Sequence, residues 1–325
     1  MAHQTGTASS LEDLLNTLEI FAAANGWTVD IWSHTGTPVW LHLTSGGCSV
    51  GLWFTSPLAA APNGVLVQQL DTGYNSADAY NAQPHYSNEV WTDFPSTAFS
   101  AYWLYGNSQY IHCVVETVSG VYRHFCFGML NKQGTYTGGS YCSGSFWPHV
   151  SGYNDYYSDS GNVRGPFDSL CGYGGGLLGA STEIQYQDGT NYNYSASTFS
   201  TAAYQQFLTP PPLSISEPNA WGGLRGGLYQ EQLRIGPNTY NGVAVLTPMP
   251  YFASIVGGLY QPLGAPPNVR GINIFNYNPG DTLSIGSNTW QVFPIASKGP
   301  VNNSSGTSGT TPSSSGNYGI AHLVA

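Results

Sequence analysis

Charged side chains are scarce in this chain, and their scarcity limits how the chain can fold and stay in solution. Only 7% of its 325 residues are Asp, Glu, Lys or Arg, against about 25% in an average soluble domain. The surface must therefore consist largely of uncharged polar side chains and backbone groups. Such a surface suits docking against other proteins, because little charge is desolvated on contact. Aromatic residues make up 14%, which argues against disorder, since disordered chains are poor in aromatics.

The distribution of charge excludes one class of partner. The formal net charge is −10, and the first basic residue is Arg123. A nucleic-acid-binding face needs clustered Lys and Arg, so nucleic acid is excluded as the main ligand. No apolar run reaches the ~18 residues of a membrane helix, so we expect no membrane partner. Residues 1–5 lack the basic and apolar parts of a secretory signal. These features predict a protein made in a cytoplasm that leaves by another route.

One amphipathic helix is predicted near the N-terminus. Its apolar residues recur at helical spacing: Leu11, Leu14, Leu15, Leu18 and Phe21. Ser9 is the expected N-cap, and Glu12 completes a capping box with it. Asn25-Gly26 is the expected end, because Gly26 can adopt positive φ. We expect this helix to pack its apolar face on a sheet.

The rest of the chain has the pattern of short strands separated by turns rich in Gly, Pro, Asn and Ser. The predicted strands are 28–32, 39–43, 50–54, 65–70, 232–235, 243–246, 269–277, 282–285, 290–294 and 318–324. The final strand should return across a flexible loop at 302–317 and pair with the strand at Trp290. The fold class predicted is mainly β, with sandwich-like antiparallel sheets, one N-terminal helix and long Gly- and Tyr-rich loops.

The clearest hairpin is predicted on either side of Ser119-Gly120. A two-residue loop pairs Val118 with Val121. Counting outward places Glu116 opposite Arg123, where opposite charges stabilise the strand pair. Both faces of the hairpin carry apolar groups, so it should be sandwiched between layers or packed against a neighbouring subunit.

The same count places Cys113 opposite Cys126. A disulfide is geometrically possible there, but a reducing cytoplasm does not favour it. The five cysteines of the chain are expected to be mostly buried thiols. His112 and His124 lie close by, and zinc takes four such ligands. However, alternation puts His112 on the face opposite Cys113, which leaves three ligands. No metal or other cofactor is therefore expected.

Residues 134–200 are dense in Gly, Ser, Tyr and Asn and are expected to form long loops with little regular structure. They suggest a division into a helix-plus-β unit at 1–133, a loop-rich insertion at 134–212 and a C-terminal β unit at 213–325. Aromatic residues surrounded by little charge are the candidate contact residues for partners: Tyr141, Trp147, Tyr153, Tyr156, Tyr157 and Tyr173.

No catalytic motif is evident. The chain has neither a Gly-x-Ser-x-Gly nucleophile elbow nor a His-Glu-x-x-His metal motif. Asp155, Asp159 and Asp168 form only a weak candidate for the paired carboxylates of a glycosidase. We therefore expect no enzyme activity. A carbohydrate-binding module is the alternative, with tyrosines of the loop region stacking on sugar rings.

Several stretches at the two ends and in the middle of the chain share one resemblance. They are Thr5–Ala8, Asp13–Leu15, Gly26–Val29, Val121–Gly128, Pro279–Thr282, Thr289–Pro294 and Ser315–Ala321. Together they resemble a family of tailed-bacteriophage virion proteins of structural type. The resemblance implies a place in the tail, baseplate or neck of the particle and no catalytic residues.

Composition and resemblance lead to one expectation. The chain should be a structural subunit of a tailed-phage virion, assembled in the host cytoplasm and acting through contacts with other virion proteins. Symmetric homo-oligomers are the usual form of such assemblies. The alternative is a carbohydrate-binding or host-recognition module on the particle, with a host glycan as ligand.

Overall fold

The computed structural model describes residues 1–36, 38–55, 64–87, 89–94, 99–145, 182–188, 191–196, 237–242, 244–255, 259–295, 297–298 and 317–325. This part of the chain contains one helix and four antiparallel sheets, which confirms the predicted fold class. No helix within it is long and apolar enough to cross a membrane.

Nineteen strands lie within the described residues. They are β1 (Ala2–Ala8), β2 (Thr28–Ser33), β3 (Val39–Ser45), β4 (Cys48–Thr55), β5 (Val65–Asp71), β6 (Val90–Asp93), β7 (Phe99–Gly106), β8 (Tyr110–Val118), β9 (Val121–Met129), β10 (Asn131–Lys132), β11 (Thr137–Gly144), β12 (Thr182–Asp188), β13 (Asn191–Ala196), β14 (Tyr251–Ile255), β15 (Leu259–Ala265), β16 (Val269–Asn273), β17 (Thr282–Ile285), β18 (Asn288–Pro294) and β19 (Tyr318–Leu323).

The helix, α1 (Leu11–Ala24), begins one residue later than predicted. Its N-cap is Ser10, whose side chain accepts a hydrogen bond from the backbone N–H of Asp13 at 3.1 Å. The Asp13 carboxylate in turn accepts from the backbone N–H of Ser9 at 2.9 Å. The reciprocal cap is therefore made by Asp13 rather than Glu12, because the helix starts one position further on.

The other end of α1 is as predicted. Asn25 is the C-cap, and Gly26 follows at φ +89°, a conformation that glycine adopts without steric cost. The buried face of the helix consists of Leu14, Leu15, Leu18, Phe21 and Ala22. This face joins the largest core of the protein.

The sheets form three layers. The middle layer is a seven-stranded sheet in the order β1-β7-β8-β9-β11-β12-β13. One of its faces, with Leu104 and Phe125, shares a core with α1 and with a five-stranded sheet in the order β2-β3-β4-β5-β6. On the other face Trp103 and Tyr122 contact Phe293 of β18 at ring-centroid distances of 4.8 and 5.8 Å. The hairpin β8–β9 is thus sandwiched between layers, as predicted.

The third layer consists of two smaller sheets, in the orders β16-β19-β18-β17 and β10-β15-β14. Ala321 of β19 pairs with Val292 of β18, which confirms the predicted return of the final strand. The prediction of a strand at 243–246 is wrong for the described residues there. Strand pairing next to them is limited, among the described residues, to an isolated bridge between Thr247 and Gly271.

The register of the hairpin differs from the prediction. Val118 does pair with Val121, but a bulge lies between Glu116 and Val118. As a result Glu116 is opposite Tyr122 rather than Arg123, so the predicted Glu116–Arg123 pair is wrong. A count outward from the loop cannot detect a bulge, which adds one residue to a single strand.

The bulge is held by hydrogen bonds around the turn. The Glu116 carboxylate accepts from the backbone N–H of Gly120 at 2.8 Å and from the Tyr122 hydroxyl at 3.3 Å. The hydroxyl of Thr117 donates to the carbonyl of Val121 at 3.2 Å. Glu116 therefore secures the turn instead of forming an ion pair across the strands.

The shifted register also separates the two cysteines. Cys113 lies opposite Phe125, in the core beside α1, whereas Cys126 lies opposite His112, on the other face of the sheet. The predicted Cys113–Cys126 pairing is therefore wrong. Cys48, Cys113, Cys126 and Cys142 are buried thiols, and burial raises the pKa of Cys113 and Cys126.

The expectation of little regular structure in 134–200 is wrong at β11, β12 and β13. β11 pairs with β9 and β12, and β12 pairs with β13, so this segment supplies three strands of the middle layer. Glycine-rich composition hid β11 in particular: Gly138 and Gly139 stand at positive φ where its register to β12 shifts.

A matched pair of glycines tests the close packing of the hairpin. Gly128 and Gly120 both have positive φ, at +148° and +77°. A Cβ on Gly128 would lie 2.5 Å from the carbonyl oxygen of Gln109, whereas one on Gly120 would meet nothing within 4 Å.

We expect Gly120→Ala to lower the free energy of unfolding by about 1–2 kcal/mol. Gly128→Ala should cost at least about 2 kcal/mol more, because overpacking is added to backbone strain. Urea unfolding of both variants measures the difference, and equal losses would contradict it.

Candidate functional site

A buried ionic bridge lies on the outer face of the five-stranded sheet. His42 of β3 places Nδ1 2.9 Å from Asp30 of β2 and Nε2 2.9 Å from Asp71 at the end of β5. The side chain of His42 is fully buried and that of Asp71 is 2% exposed. Carboxylates at neutral pH only accept hydrogen bonds, so both ring nitrogens donate. The imidazolium, which donates from both ring nitrogens, is therefore the form of His42 that fits these two contacts.

The charge of His42 follows from competing effects. Burial by itself would lower its pKa, but the hydrogen bonds and negative charges of Asp71 and Asp30 outweigh burial and raise the pKa above its usual value. Because both nitrogens are held, the ring has no lone pair with which to take a proton from a substrate. The arrangement is suited to joining three strands rather than to general-base catalysis.

An ordered segment covers this bridge. Residues 72–87 follow β5 and carry Tyr74, whose ring lies 5.3 Å from that of His42. Gln83 holds the segment together: its side chain accepts from the backbone N–H of Asn75 at 2.7 Å and donates to the carbonyl of Ala79 at 3.0 Å. The Tyr- and Asn-rich segment thus covers the ionic bridge formed by His42, Asp30 and Asp71.

A second buried feature, a cluster of histidines, lies between the middle layer and the four-stranded sheet. His112 of β8, His124 of β9 and His322 of β19 are all buried. Tyr105 lies between His3 and His322, with ring centroids 4.8 Å apart on each side and planes within 14° and 7°. The ring of His322 also lies 5.6 Å from that of His112 and 6.2 Å from that of His124.

The hydrogen bonds of this histidine cluster are unequal. His124 Nε2 donates to the carbonyl of Pro294 at 2.9 Å, and His112 Nε2 is 2.6 Å from the hydroxyl of Tyr141. Among the described residues, neither ring nitrogen of His322 has a hydrogen-bond partner. A buried polar group in this state is a source of instability.

These three imidazoles are neutral. Burial lowers the pKa of His112 to about 3 and that of His124 to about 4, and it lowers the pKa of His322 well below its usual value. Repulsion between protonated neighbours adds to the shift of His112 and His322. In the part of the chain that the structure describes, no group of three or more His, Cys, Asp or Glu is arranged to hold a metal ion.

The bulge in the hairpin also changes the interpretation of the residues considered for zinc. His112 shares a face with His124 and Cys126, and Cys113 is on the opposite face. The prediction that placed Cys113 beside His124 and Cys126 is therefore wrong. The alternation of side chains along the strands assigns these residues to the correct faces only when the bulge between Glu116 and Val118 is included.

The predicted contact residues fall into two groups. Tyr141 is fully buried in β11, so it is part of the core beneath the three-stranded sheet and cannot anchor a partner. Its hydroxyl is the partner of His112. The others lie outside the described residues: Trp147, Tyr153, Tyr156, Tyr157 and Tyr173. The carboxylates Asp155, Asp159 and Asp168 lie outside them as well.

Strand β1 is a feature that the sequence prediction missed. In the described part of the chain it pairs on one side only, with β7, at the end of the seven-stranded sheet. Its residues alternate: Thr5 and Thr7 are exposed, and Gln4 and Gly6 are half-buried. The alternation was present in the sequence, but its inward positions are small or polar, so no hydrophobic period marked it.

The comparisons with known proteins add no identity. No family model matches this chain, and no curated protein matches its sequence.

Proposed function

We propose that this chain is a structural subunit of a tailed-bacteriophage particle and acts through protein–protein contacts in a symmetric assembly of its own copies. The resemblance of its two ends and middle to tailed-phage virion proteins supports a place in the particle. The scarcity of charged residues supports a role in protein–protein contacts. The observation that carries the assembly is the edge at β1, where the described residues supply no second pairing strand.

An open edge presents unpaired backbone donors and acceptors to any other strand. Proteins that stay monomeric protect such edges with charge, proline, bulges or short length. The edge strand β2 has both a bulge and Asp30, and the edge strands β6 and β17 have four residues each. β1 has seven residues, none of them charged or proline, and its bulge lies only at the Gly6–Ala8 end.

The occupant that fits this edge best is β1 of a second copy. Antiparallel pairing about Thr5 places Thr5 opposite its own counterpart, His3 opposite Thr7, and Gln4 opposite Gly6. No like charges meet, because β1 contains no Asp, Glu, Lys or Arg and each His3 faces Thr7 of the other copy. Facing threonines are a favourable cross-strand pair. Two-fold pairing of this kind is the commonest symmetric contact between protein subunits.

Light scattering at several concentrations tests this contact. We expect the purified chain to form a discrete oligomer, and Thr5→Lys to shift it to smaller species, since two lysines would then meet at the symmetry axis. The control is Ser284→Lys, which puts the same charge on an exposed position of β17 and should leave the mass unchanged. An unchanged oligomer in Thr5→Lys, or a monomeric wild type, would sink the proposed contact.

The place in the particle needs a separate experiment. Mass spectrometry of purified phage particles encoded by the same genome should find the chain at a fixed copy number relative to the other virion proteins. Its absence from particles would overturn the proposed role, whatever the oligomeric state of the isolated chain.

A further inference from the structure

An open cleft with uncharged walls lies at one end of the C-terminal four-stranded sheet. Its volume is about 490 Å³, within the ~300–1,000 Å³ range of small-molecule sites. Two turns and the residue preceding β19 form its walls. The residues that line it are Pro237, Asn238, Thr239, Gly242, Asn273, Phe275, Asn276 and Asn317.

Both turns are fixed by their own hydrogen bonds. The side-chain oxygen of Asn238 accepts from the backbone N–H of Tyr240 at 2.8 Å, and its carbonyl accepts from the N–H of Gly242 at 2.7 Å. On the opposite wall the side-chain oxygen of Asn273 accepts from the N–H of Phe275 at 3.0 Å. The walls are thus formed before any ligand arrives, which reduces the ordering cost of binding.

A lysine supports the second wall from behind. The ammonium group of Lys298 donates to the backbone carbonyls of Phe275 and Tyr277 at 2.9 and 2.7 Å. The ammonium group therefore stabilises the turn through these two hydrogen bonds. None of the described residues that line the cleft is charged, so these residues offer no ion pair to a ligand.

The chemistry of the lining combines amides with an exposed aromatic ring. Asparagine amides both donate and accept hydrogen bonds, as sugar hydroxyls do. Phe275 lines the cleft with 62% of its surface exposed. Tyr240 belongs to the turn of the other wall, next to the lining residue Thr239, and is 97% exposed. An aromatic face is suited to the C–H face of a pyranose ring, which is apolar on that side. Phe275 and Tyr240 are among the most exposed large apolar side chains of the described residues.

We infer that this cleft binds a neutral saccharide, with Phe275 as the stacking platform and the asparagines around it as hydrogen-bonding partners. Because the described lining residues carry no charge, phosphorylated, sulfated or uronic-acid sugars would lose hydration there without gaining an ion pair from them. This binding activity is independent of subunit assembly through β1, since the two involve different sheets and different residues.

Titration calorimetry with defined oligosaccharides tests the inference. The probes are cellopentaose, maltopentaose and chitopentaose as neutral chains, and an oligogalacturonate as an acidic one. We expect one or more neutral probes to bind and the acidic probe not to bind. Phe275→Ala should weaken binding about tenfold, equivalent to about 1.4 kcal/mol, while Phe275→Tyr keeps the ring and should stay within about threefold of wild type.

Two controls separate a cleft effect from a general one. Ile285→Ala removes another exposed apolar side chain, on β17, and should leave affinity unchanged. Thermal unfolding of every variant checks that the sheet is intact. Binding of the acidic probe alone, no binding of any neutral probe, or undiminished binding by a folded Phe275→Ala protein would each overturn the inference.

Discussion

Replacement of His42 by alanine is expected to lower the free energy of unfolding by about 3–5 kcal/mol, because it removes the cation from a buried cluster of charges. Asp30 and Asp71 would remain on the same face of the sheet without the imidazolium that both contact at 2.9 Å. Urea unfolding at pH 7 measures the loss. Since α1 and the five-stranded sheet share one core, the unfolding transition should move as a whole.

Two comparisons sharpen this prediction. His34→Ala removes an exposed histidine from the neighbouring loop and should change stability by less than about 0.5 kcal/mol. Adding Asp30→Asn and Asp71→Asn to His42→Ala should recover part of the loss, because the unpaired charges are then gone. A loss below about 1 kcal/mol in His42→Ala would show that the bridge contributes little.

The His42 contribution also has a pH dependence with a definite sign. Its pKa is raised in the folded protein, so the stabilisation is fully present below the unfolded value of about 6.5. It is lost as the pH rises through the folded pKa. The difference between wild type and His42→Ala should therefore narrow in alkaline solution.

Acidification from pH 7 to pH 4 is expected to cost on the order of 5 kcal/mol through the histidine cluster beneath β19. The pKa values of His112 and His124 are lowered to about 3 and about 4, against about 6.5 in an unfolded chain. Below pH 6.5 the unfolded chain therefore binds protons that the folded chain does not. Stability is present above that pH and falls as the pH approaches the folded values. Urea unfolding at half-unit pH steps measures the slope.

His322 provides the matched variant. Because its ring nitrogens have no partner among the described residues, His322→Phe replaces a costly polar group with an apolar ring that can stack on Tyr105. We expect it to raise stability at pH 7 by about 1 kcal/mol. It should also reduce the acid slope by about a third, since one of three buried titrating groups is gone. An unchanged slope together with reduced stability would mean that His322 has a polar role that the packing does not reveal.

The features that the sequence predicted are those set by local pattern. The leucines of α1 recur at helical spacing, and Asn25-Gly26 supplies its end. Ser119-Gly120 supplies a turn between two apolar runs, which was enough to identify the hairpin β8–β9. Even the pairing of β19 with β18 could be predicted, because a long loop of small polar residues separates two alternating strands.

What could not be predicted depends on contacts distant in sequence. At the bulge, Thr117 has no partner residue on the facing strand. Because of this extra residue, Cys113 lies on the opposite face of the sheet from His124 and Cys126, and not on the same face as predicted. The bridge from His42 to Asp30 and Asp71 joins three strands, and the order of these strands in the sheet could not be deduced from the sequence. The composition around Tyr141 predicts a contact residue, but the sheet buries this side chain against His112.

The position of β19 has a consequence for the order of biosynthesis. β19 lies between β16 and β18 in the four-stranded sheet although it follows both in the chain. While residues 318–323 are still inside the ribosome, β16 and β18 have no strand between them to join them. Until then the imidazoles of His112 and His124 also lack the ring of His322 above them. The nascent chain can therefore complete its helix and five-stranded sheet during translation, but the four-stranded sheet closes only after β19 has emerged from the ribosome.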